Sequence, residues 1–599
     1  MLAEVTYKAP QTGLVWWAPL LVALAGLAVA VGLLAARGAD PSGSRRSPLQ
    51  RVLASLRHLT GMPGWSVAAI GVSLWSLLVA LVGFTWDVAW HADLGRDRAL
   101  FTPPHVMILV GLAGIGLAGV TAIVLATAEK AEVGLHVGRL RVPWSAMPIG
   151  LMGLGALIGF PLDDYWHSVY GIDVTMWSPT HLLMIGGASL TPIATWLILA
   201  EARVSTATNR AARMLSEALA ASTLVGLSTF QLEFDMGIPQ WQALYQPVLI
   251  ALAMGIGLVA AREANGRGGA LRATVGFLVM RGLTALLVGS VFGLSIERFP
   301  LYIAGALLVE AVFLAGDRLA PLARTLVIGL LLATAGLAAE WGWAAIWGLQ
   351  PWQPRLLPSW WVVIGMAVAG SLLGSALGRA VAHQQRLVPY GAVTLAFAAM
   401  VVLLGVPYPR HGASVAATVS CRQTGPSQAT QTRDGVAAFV QPITCTVATD
   451  QPGAVADADV FRVVAWQGGD IILSRLVASG NGTYTMDTAV PAGADWKSLV
   501  LLLKGDVVAA VPVDFPADAE YGLPAIPAPI AQSRTDTFQP ASTYLTRESH
   551  DGSALPAILA YTALGLVAAA WGAALIGVGT AMSRELRAAL RLGPRPGAA

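Results

Sequence analysis

The chain has 599 residues, of which 55% are hydrophobic and 12% are charged. This balance excludes a large soluble enzyme and predicts a protein that crosses a membrane many times, in contact with membrane lipid. The formal net charge of +3 is too small to indicate nucleic acid as a partner.

Apolar runs long enough to span a bilayer recur through the first two thirds of the chain and once near its end. They predict thirteen spans, at roughly 14–36, 64–86, 105–127, 144–162, 180–200, 214–232, 243–261, 271–293, 300–316, 323–343, 359–379, 388–406 and 554–580. Basic residues collect in alternate loops, from Arg51 and Arg57 to Arg584 and Arg587 in the tail, so the N-terminus is expected outside and the C-terminus inside. The predicted fold is an all-α polytopic protein of a bacterial plasma membrane.

One pattern occurs twice between these spans. Residues 87–105 read DVAWHADLGRDRALFTPPH, and residues 163–181 read DDYWHSVYGIDVTMWSPTH. In each copy an Asp stands four residues before a His, and a second His follows fourteen residues later. Residues at i and i+4 share one helical face, so the Asp and the first His can reach the same ion.

The second His of each copy follows a sequence typical of a helix start. Thr102 and Ser178 are predicted N-caps, with Pro103 and Pro179 at the first helical position. Each copy would therefore join a helix end to a helix start, and both loops are expected to face outward. The predicted ligands are Asp87, His91 and His105 in the first copy, and Asp163, His167 and His181 in the second.

Two imidazoles and a carboxylate suit zinc, copper or non-haem iron, and the ligand set does not choose among them. The alternative is a pair of interfacial histidines that bond to backbone or water, but duplication in register favours metal sites. Trp90, Trp166 and Asp164 are expected to pack around the ligands. Glu233 and Asp235, predicted on the same side, could add a ligand or a proton acceptor, or be solvated helix-end carboxylates.

The pattern D-x-x-W-H followed by R-D-x-x-x-F-T-P-x-H resembles the copper-ligand segment of one membrane subunit of the particulate methane and ammonia monooxygenases, over residues 60–200. The resemblance assigns one trio to each of two copper sites, although the family has Asn where this chain has Asp163. It implies copper as cofactor and oxygen-dependent hydroxylation of ammonia or a small hydrocarbon. Other monooxygenase-type subunits, an electron donor or further copies of the chain would be partners.

Two charges fall inside predicted spans. Arg281 and Glu310 lie at similar expected depth, and a buried charge is costly unless it is paired. The sequence therefore predicts a salt bridge between them, with a role in a transport pathway as the alternative interpretation.

The composition changes after residue 406. Residues 407–515 show short alternating segments that predict an extracytoplasmic immunoglobulin-like β-sandwich, in which Cys421 and Cys445 form a disulfide rather than a thiolate metal site. The run GTYTMDTAVPAGADWKSLVLLL resembles FixH-like and YtkA-like extracytoplasmic domains. Residues 516–553 are predicted to form a Pro-rich tether, and residues 554–599 a last span with a basic cytoplasmic tail.

Two functions follow from these patterns. The first is a component of a copper-dependent membrane monooxygenase that acts on a small apolar substrate or ammonia. The second is non-enzymatic acquisition or delivery of copper at the outer face of the membrane. The same ligands serve both, and only a reaction product distinguishes them.

Overall fold

The computed structural model describes residues 48–95, 101–171, 175–315, 319–382, 390–405, 413–467, 470–549 and 552–591. A helical domain comes first, a β-rich domain follows, and a long helix ends the described chain. The predicted span at 14–36 lies outside the described residues.

The helices follow the predicted apolar runs closely. In chain order they are α1 Pro48–Thr60, α2 Gly64–Leu94, α3 Pro103–Ala128, α4 Ala146–Tyr170, α5 Pro179–Glu201, α6 Arg210–Ser228, α7 Leu232–Asp235, α8 Tyr245–Asn265, α9 Gly269–Val291, α10 Ile303–Ala315, α11 Pro321–Ile346, α12 Pro354–Val381, α13 Tyr390–Gly405, α14 Ser542–Leu545 and α15 Ala554–Arg591.

Nine helices within the described residues are long and apolar enough to cross a membrane. Two further apolar helices, α10 and the core of α13, are shorter. The expectation of a multi-pass membrane protein is therefore supported by the helices themselves, because an apolar helix of bilayer length has its backbone hydrogen bonds satisfied internally. The number of thirteen spans stays a prediction.

The strands form a small hairpin and one large antiparallel sheet. They are β1 Leu135–Val137, β2 Leu140–Val142, β3 Ala416–Gln423, β4 Gln428–Gln431, β5 Ala437–Thr449, β6 Val460–Trp466, β7 Ile472–Gly480, β8 Thr483–Met486, β9 Val490–Ala492, β10 Lys497–Lys504, β11 Val507–Asp514, β12 Arg534–Thr537 and β13 Gln539–Pro540. The large sheet runs β12-β3-β5-β8-β7-β6-β10-β11-β13, and β4 and β9 pair with β5. It forms a separate β-rich domain, and its immunoglobulin-like type stays a prediction.

The predicted disulfide is confirmed. Cys421 on β3 and Cys445 on β5 face each other in register and are bonded, with an S–S distance of 2.04 Å. Both cysteines are buried in the core of the β-domain. The pairing of these residues excludes a thiolate metal site there.

Strands β10 and β11 are buried on both faces. Val500 and Leu502 point into the core of the β-domain, whereas Leu499 and Leu501 join the core that the membrane helices form. A strand covered on both faces has a continuous apolar run, and residues 498–503 show one. The β-domain therefore docks on the helical domain through a buried apolar face.

The segment 516–553 is more than the predicted tether. Strand β12 within it pairs with β3, strand β13 pairs with β11, and helix α14 follows. The Phe538 side chain, between those strands, is almost fully buried. Its prolines and polar residues correctly indicate the absence of a long helix, but not the edge pairing, which depends on partner strands far away in the chain.

The predicted salt bridge between Arg281 and Glu310 is wrong. Arg281 Nη2 lies 3.1 Å from Asp235 Oδ2, whereas Glu310 Oε2 lies 2.9 Å from Arg262 Nε. Glu310 also accepts a hydrogen bond from the backbone N–H of Ala270, in the first turn of α9. Arg281 lies about 16 Å further along that helix, at about 1.5 Å per residue, so the two charges are at different depths.

Candidate metal centre

The first trio forms where α2 ends and α3 begins. Asp87 and His91 lie one turn apart on α2, and His105 lies in the first turn of α3. Asp87 Oδ1 is 3.6 Å from His91 Nε2 and 3.2 Å from His105 Nε2. The carboxylate therefore stands between the two imidazoles, and one potential ligand atom from each residue lies within 4.8 Å of the others.

The second trio repeats this arrangement where α4 ends and α5 begins. Asp163 Oδ2 is 3.8 Å from His167 Nε2 and 3.3 Å from His181 Nε2. Its potential ligand atoms again lie within 4.8 Å of one another. Each imidazole of the two trios keeps about a fifth of its side-chain surface exposed, from 18% to 23%.

The helix starts have the predicted form with one difference. Ser178 accepts a hydrogen bond from the backbone N–H of His181, as an N-cap side chain does. Thr102 occupies the N-cap position in extended conformation, but its side chain makes no cap hydrogen bond. Pro103 and Pro104 remove two of the N–H groups that such a side chain could accept from.

Each helix that ends at a trio stops at a glycine four residues after its first His. Gly95 has φ +83° and Gly171 has φ +77°, which glycine adopts without a steric penalty. His91 Nδ1 lies 3.2 Å from the carbonyl oxygen of Gly95, so the helix end orients the ring. This His-x-x-x-Gly step is present in both copies of the sequence pattern and is a signal that the spacing of the ligands alone does not use.

Backbone carbonyls at the Nδ1 atoms turn the Nε2 atoms toward the carboxylates. His181 Nδ1 lies 2.5 Å from the carbonyl oxygen of Thr175, and His91 has the matching contact with Gly95. An Nδ1–H that donates to a carbonyl fixes the tautomer in which Nε2 has a lone pair for a metal.

The two carboxylates differ in their other contacts. Thr180 Oγ1 donates a 2.5 Å hydrogen bond to Asp163 Oδ1, which leaves Oδ2 for the imidazoles. The residue at the equivalent place in the first copy is Pro104, which has no hydroxyl. The second carboxylate is therefore oriented by a side-chain donor that the first one does not have at that position.

Both trios line one cavity of about 380 Å³. Most of its other lining is apolar and comes from several helices of the membrane domain and from the β-domain; examples are Leu81, Phe160, Met184, Ile185, Val225 and Trp466. The sequence predicts two separate sites and does not indicate that they share a cavity. Two helix-to-helix junctions face each other only in the folded bundle.

The predicted surrounding residues lie in different places. Asp164 lines the cavity. Trp90 is buried beside Trp86, with ring centroids 6.4 Å apart, whereas Trp166 packs against Tyr561 of α15 at 6.3 Å. The tryptophans thus fix the motif helices to their neighbours.

The aromatic residue that contacts a ligand ring is one that the repeat does not indicate. Phe160 of α4 meets His105 edge-on, with centroids 6.0 Å apart. This contact links the helix of the second trio to the first trio.

Glu233 and Asp235 are separated by their contacts. Glu233 lines the shared cavity, accepts a 2.6 Å hydrogen bond from Trp177 Nε1, and also accepts one from the backbone N–H of Gln240. Asp235 pairs with Arg281 instead and is not among the cavity residues. Of the two, Glu233 is the one placed to act in the cavity.

The residues of each trio fit a metal ion. His167 Nε2 is buried and makes no hydrogen bond within the described residues, which is an unfavourable state for a polar atom unless something binds there. Nitrogen and oxygen donors of this kind suit copper, zinc and iron, and two imidazoles with one carboxylate leave coordination positions open.

Compared with models of protein families, with curated proteins and with solved structures, the chain has no significant match. The geometry of the two trios and their common cavity therefore carries the functional conclusion.

Proposed function

We propose that this chain is a copper-binding integral membrane protein and a component of an oxygen-dependent monooxygenase that acts on a small apolar substrate or ammonia. The observation that carries the proposal is the shared cavity, because it places two Asp/His/His trios against apolar walls. The resemblance of residues 60–200 to a copper-ligating membrane subunit of the particulate monooxygenases selects copper among the metals that the ligands suit.

The roles of the residues follow from their contacts. Asp87, His91 and His105 would hold one copper, and Asp163, His167 and His181 the other. Copper bound with an open position would supply redox chemistry with dioxygen.

The surrounding residues would orient the ligands and hold the substrate. The carbonyls of Gly95 and Thr175 orient imidazoles, and Thr180 orients Asp163. The apolar walls would hold an apolar molecule beside the trios and exclude bulk water. Glu233, with its two hydrogen bonds inside the cavity, is placed to exchange a proton with a bound molecule.

The proposal includes the arrangement in the membrane. We infer thirteen spans with the trios and an immunoglobulin-like β-domain on the outer side of a bacterial plasma membrane. The alternation of basic loops supports this orientation, since basic residues favour the cytoplasmic side. Both trios and the docked β-domain lie at one end of the helical bundle, which agrees with it.

Copper acquisition or delivery is the second candidate function. It is favoured by the exposure of about a fifth of each imidazole, which a carrier protein or chelator could reach. It needs the same ligands, but no substrate in the cavity.

Metal analysis of the purified protein and of single variants tests the copper proposal. We expect about two coppers per chain in the wild type and about one in His105→Ala or in His181→Ala, since each change removes one of three ligands. His136→Ala is the matched control, because His136 lies in the β1–β2 hairpin, outside both trios, and is expected to keep both metals. Zinc in both sites of the wild type would overturn the redox proposal, because zinc is redox-inert.

Product analysis separates the two functions. Oxygen uptake that yields a hydroxylated product, lost in both His variants and retained in His136→Ala, supports the monooxygenase. Fast copper transfer to a soluble carrier without any product supports delivery instead.

A further inference from the structure

The β-domain contributes to the cavity that both trios line. Trp466, the last residue of β6, and Leu545, the last residue of α14, are both cavity residues. Both are buried, with 5% and 7% of their surface exposed. They belong to the same apolar core as the membrane helices, so they are fixed parts of the cavity wall.

Trp466 is held by its own domain. Its ring meets Phe515 edge-on, with centroids 5.8 Å apart, and β6 pairs along its length with β7 and β10. On the same strand, Arg462 donates to the backbone carbonyls of Gly237, at 2.9 Å, and of Leu349, which belong to loops of the helical domain. The strand that carries Trp466 is therefore anchored directly to the bundle.

Leu545 is held in a similar way. Lys497 on β10 lies 2.6 Å from Glu548, three residues after Leu545, and Ser549 pairs with Gly171 at the end of α4. Leu545 is thus fixed between the sheet and the helix that carries the second trio.

The β-domain also contacts the end of the first motif helix. Arg433 Nη1 donates a 2.8 Å hydrogen bond to the carbonyl of Leu94, and a Cβ placed on Gly95 would lie 2.5 Å from Gln467 Nε2. Both motif helices therefore end against this domain, next to the trios.

We propose that the β-domain is the size-selecting outer wall of the cavity, and that Trp466 and Leu545 determine which molecules reach the two trios. The inference deepens the proposed function and rests on it for the nature of the substrate. Removing the indole of Trp466 would widen the cavity on the side of the β-domain and admit larger molecules. The membrane helices would still bind metal, because neither residue belongs to a trio.

A single engineered thiol tests the wall without any metal. The only two cysteines of the chain are bonded to each other, so a new cysteine is the only free thiol. Ser189→Cys places it on the cavity wall at nearly constant volume. Ser73→Cys is the matched control, because Ser73 is fully buried against Thr195 and is not a cavity residue.

The measurement compares the labelling rates of a small and a bulky water-soluble methanethiosulfonate in the full chain. With Trp466 present, we expect the small reagent to label Ser189→Cys much faster than the bulky one. With Trp466→Ala, the rate of the bulky reagent should rise on the order of tenfold, equivalent to removing a modest barrier, while the rate of the small reagent changes little. Trp466→Phe should remain close to the wild type.

An unchanged ratio of the two rates in both Trp466→Ala and Leu545→Ala would overturn the inference, since access would then not pass this wall. If Trp466→Ala also accelerates labelling of Ser73→Cys, the change has loosened the fold, and Leu545→Ala decides instead. Copper content is measured in parallel. Absence of copper from the wild type would refute the proposed function and leave the labelling result valid.

Discussion

At the scale of single residues, the two trios are similar but not equivalent. Both have a carboxylate between two imidazoles, with ring centroids 6.0 Å and 6.1 Å apart. Only Asp163 has the hydroxyl of Thr180, because Pro104 stands at the equivalent position. A donor to the second carboxylate oxygen fixes which oxygen faces the metal, and such contacts strengthen metal binding.

Thr180→Val removes this donor at constant shape. We expect the copper affinity of the second site to fall by about 10–100-fold, the usual effect of losing a contact of this kind, while the first site keeps its affinity. Thr180→Ser keeps the hydroxyl and is the control. Titration against a competing chelator measures both affinities, and equal weakening of both sites would contradict the assignment of Thr180 to Asp163.

At the scale of helices, the buried charges show which elements are tied together. Arg281 of α9 contacts Asp235 of α7 at 3.1 Å and approaches Glu297, in the connection to α10, at 3.6 Å. Glu310 serves a different junction, where it accepts from the N–H groups of Gly268 and Ala270. An intramembrane charge is stabilised only by such specific partners.

The coupling between Arg281 and Asp235 can be measured by a double-mutant cycle. Arg281→Leu and Asp235→Leu should each lower the free energy of unfolding by about 3–5 kcal/mol, because each leaves a buried charge without its partner. The double variant should lose less than the sum, since the residues are in contact. Denaturant unfolding in detergent micelles gives the three values.

Glu310→Leu is the control for that cycle. Combined with Arg281→Leu, its effect should be additive, because Glu310 pairs with Arg262 and not with Arg281. Strong coupling of Arg281 to Glu310, with none to Asp235, would show that the charges are paired differently.

At the scale of the whole molecule, the β-domain and the helical domain share one apolar core. The side chains of β10 alternate between the two, with Leu501 in the core shared with the helices and Leu502 in the core of the β-domain. Each is 1% exposed. Docking of this kind positions Trp466 over the trios more firmly than a flexible connection would.

Truncation of these two leucines separates docking from folding of the β-domain. Leu501→Ala and Leu502→Ala should each cost about 2–5 kcal/mol, as expected for a buried leucine. Only Leu501→Ala should increase hydrogen exchange in residues 233–241, the loop that Arg462 contacts. Equal exchange in both variants would show that β10 does not control docking.

The sequence by itself determined the features that depend on local spacing. Apolar length predicted the membrane helices, the repeated frame predicted that Asp87 meets His91 and His105, and the single pair of cysteines predicted the disulfide. Each involves residues close in the chain or, for the cysteines, the only available partner. The periodicity of a helix or the count of a residue type is sufficient for such predictions.

The tertiary structure decided which distant surfaces meet. That the trios share one cavity, that Arg281 pairs with Asp235, and that Trp466 closes the cavity all depend on contacts between elements far apart in the chain. Local periodicity determines which face of a helix is apolar, but helix packing determines what that face contacts. The physical reason is that burial rewards any complementary partner, and only the packed chain selects one.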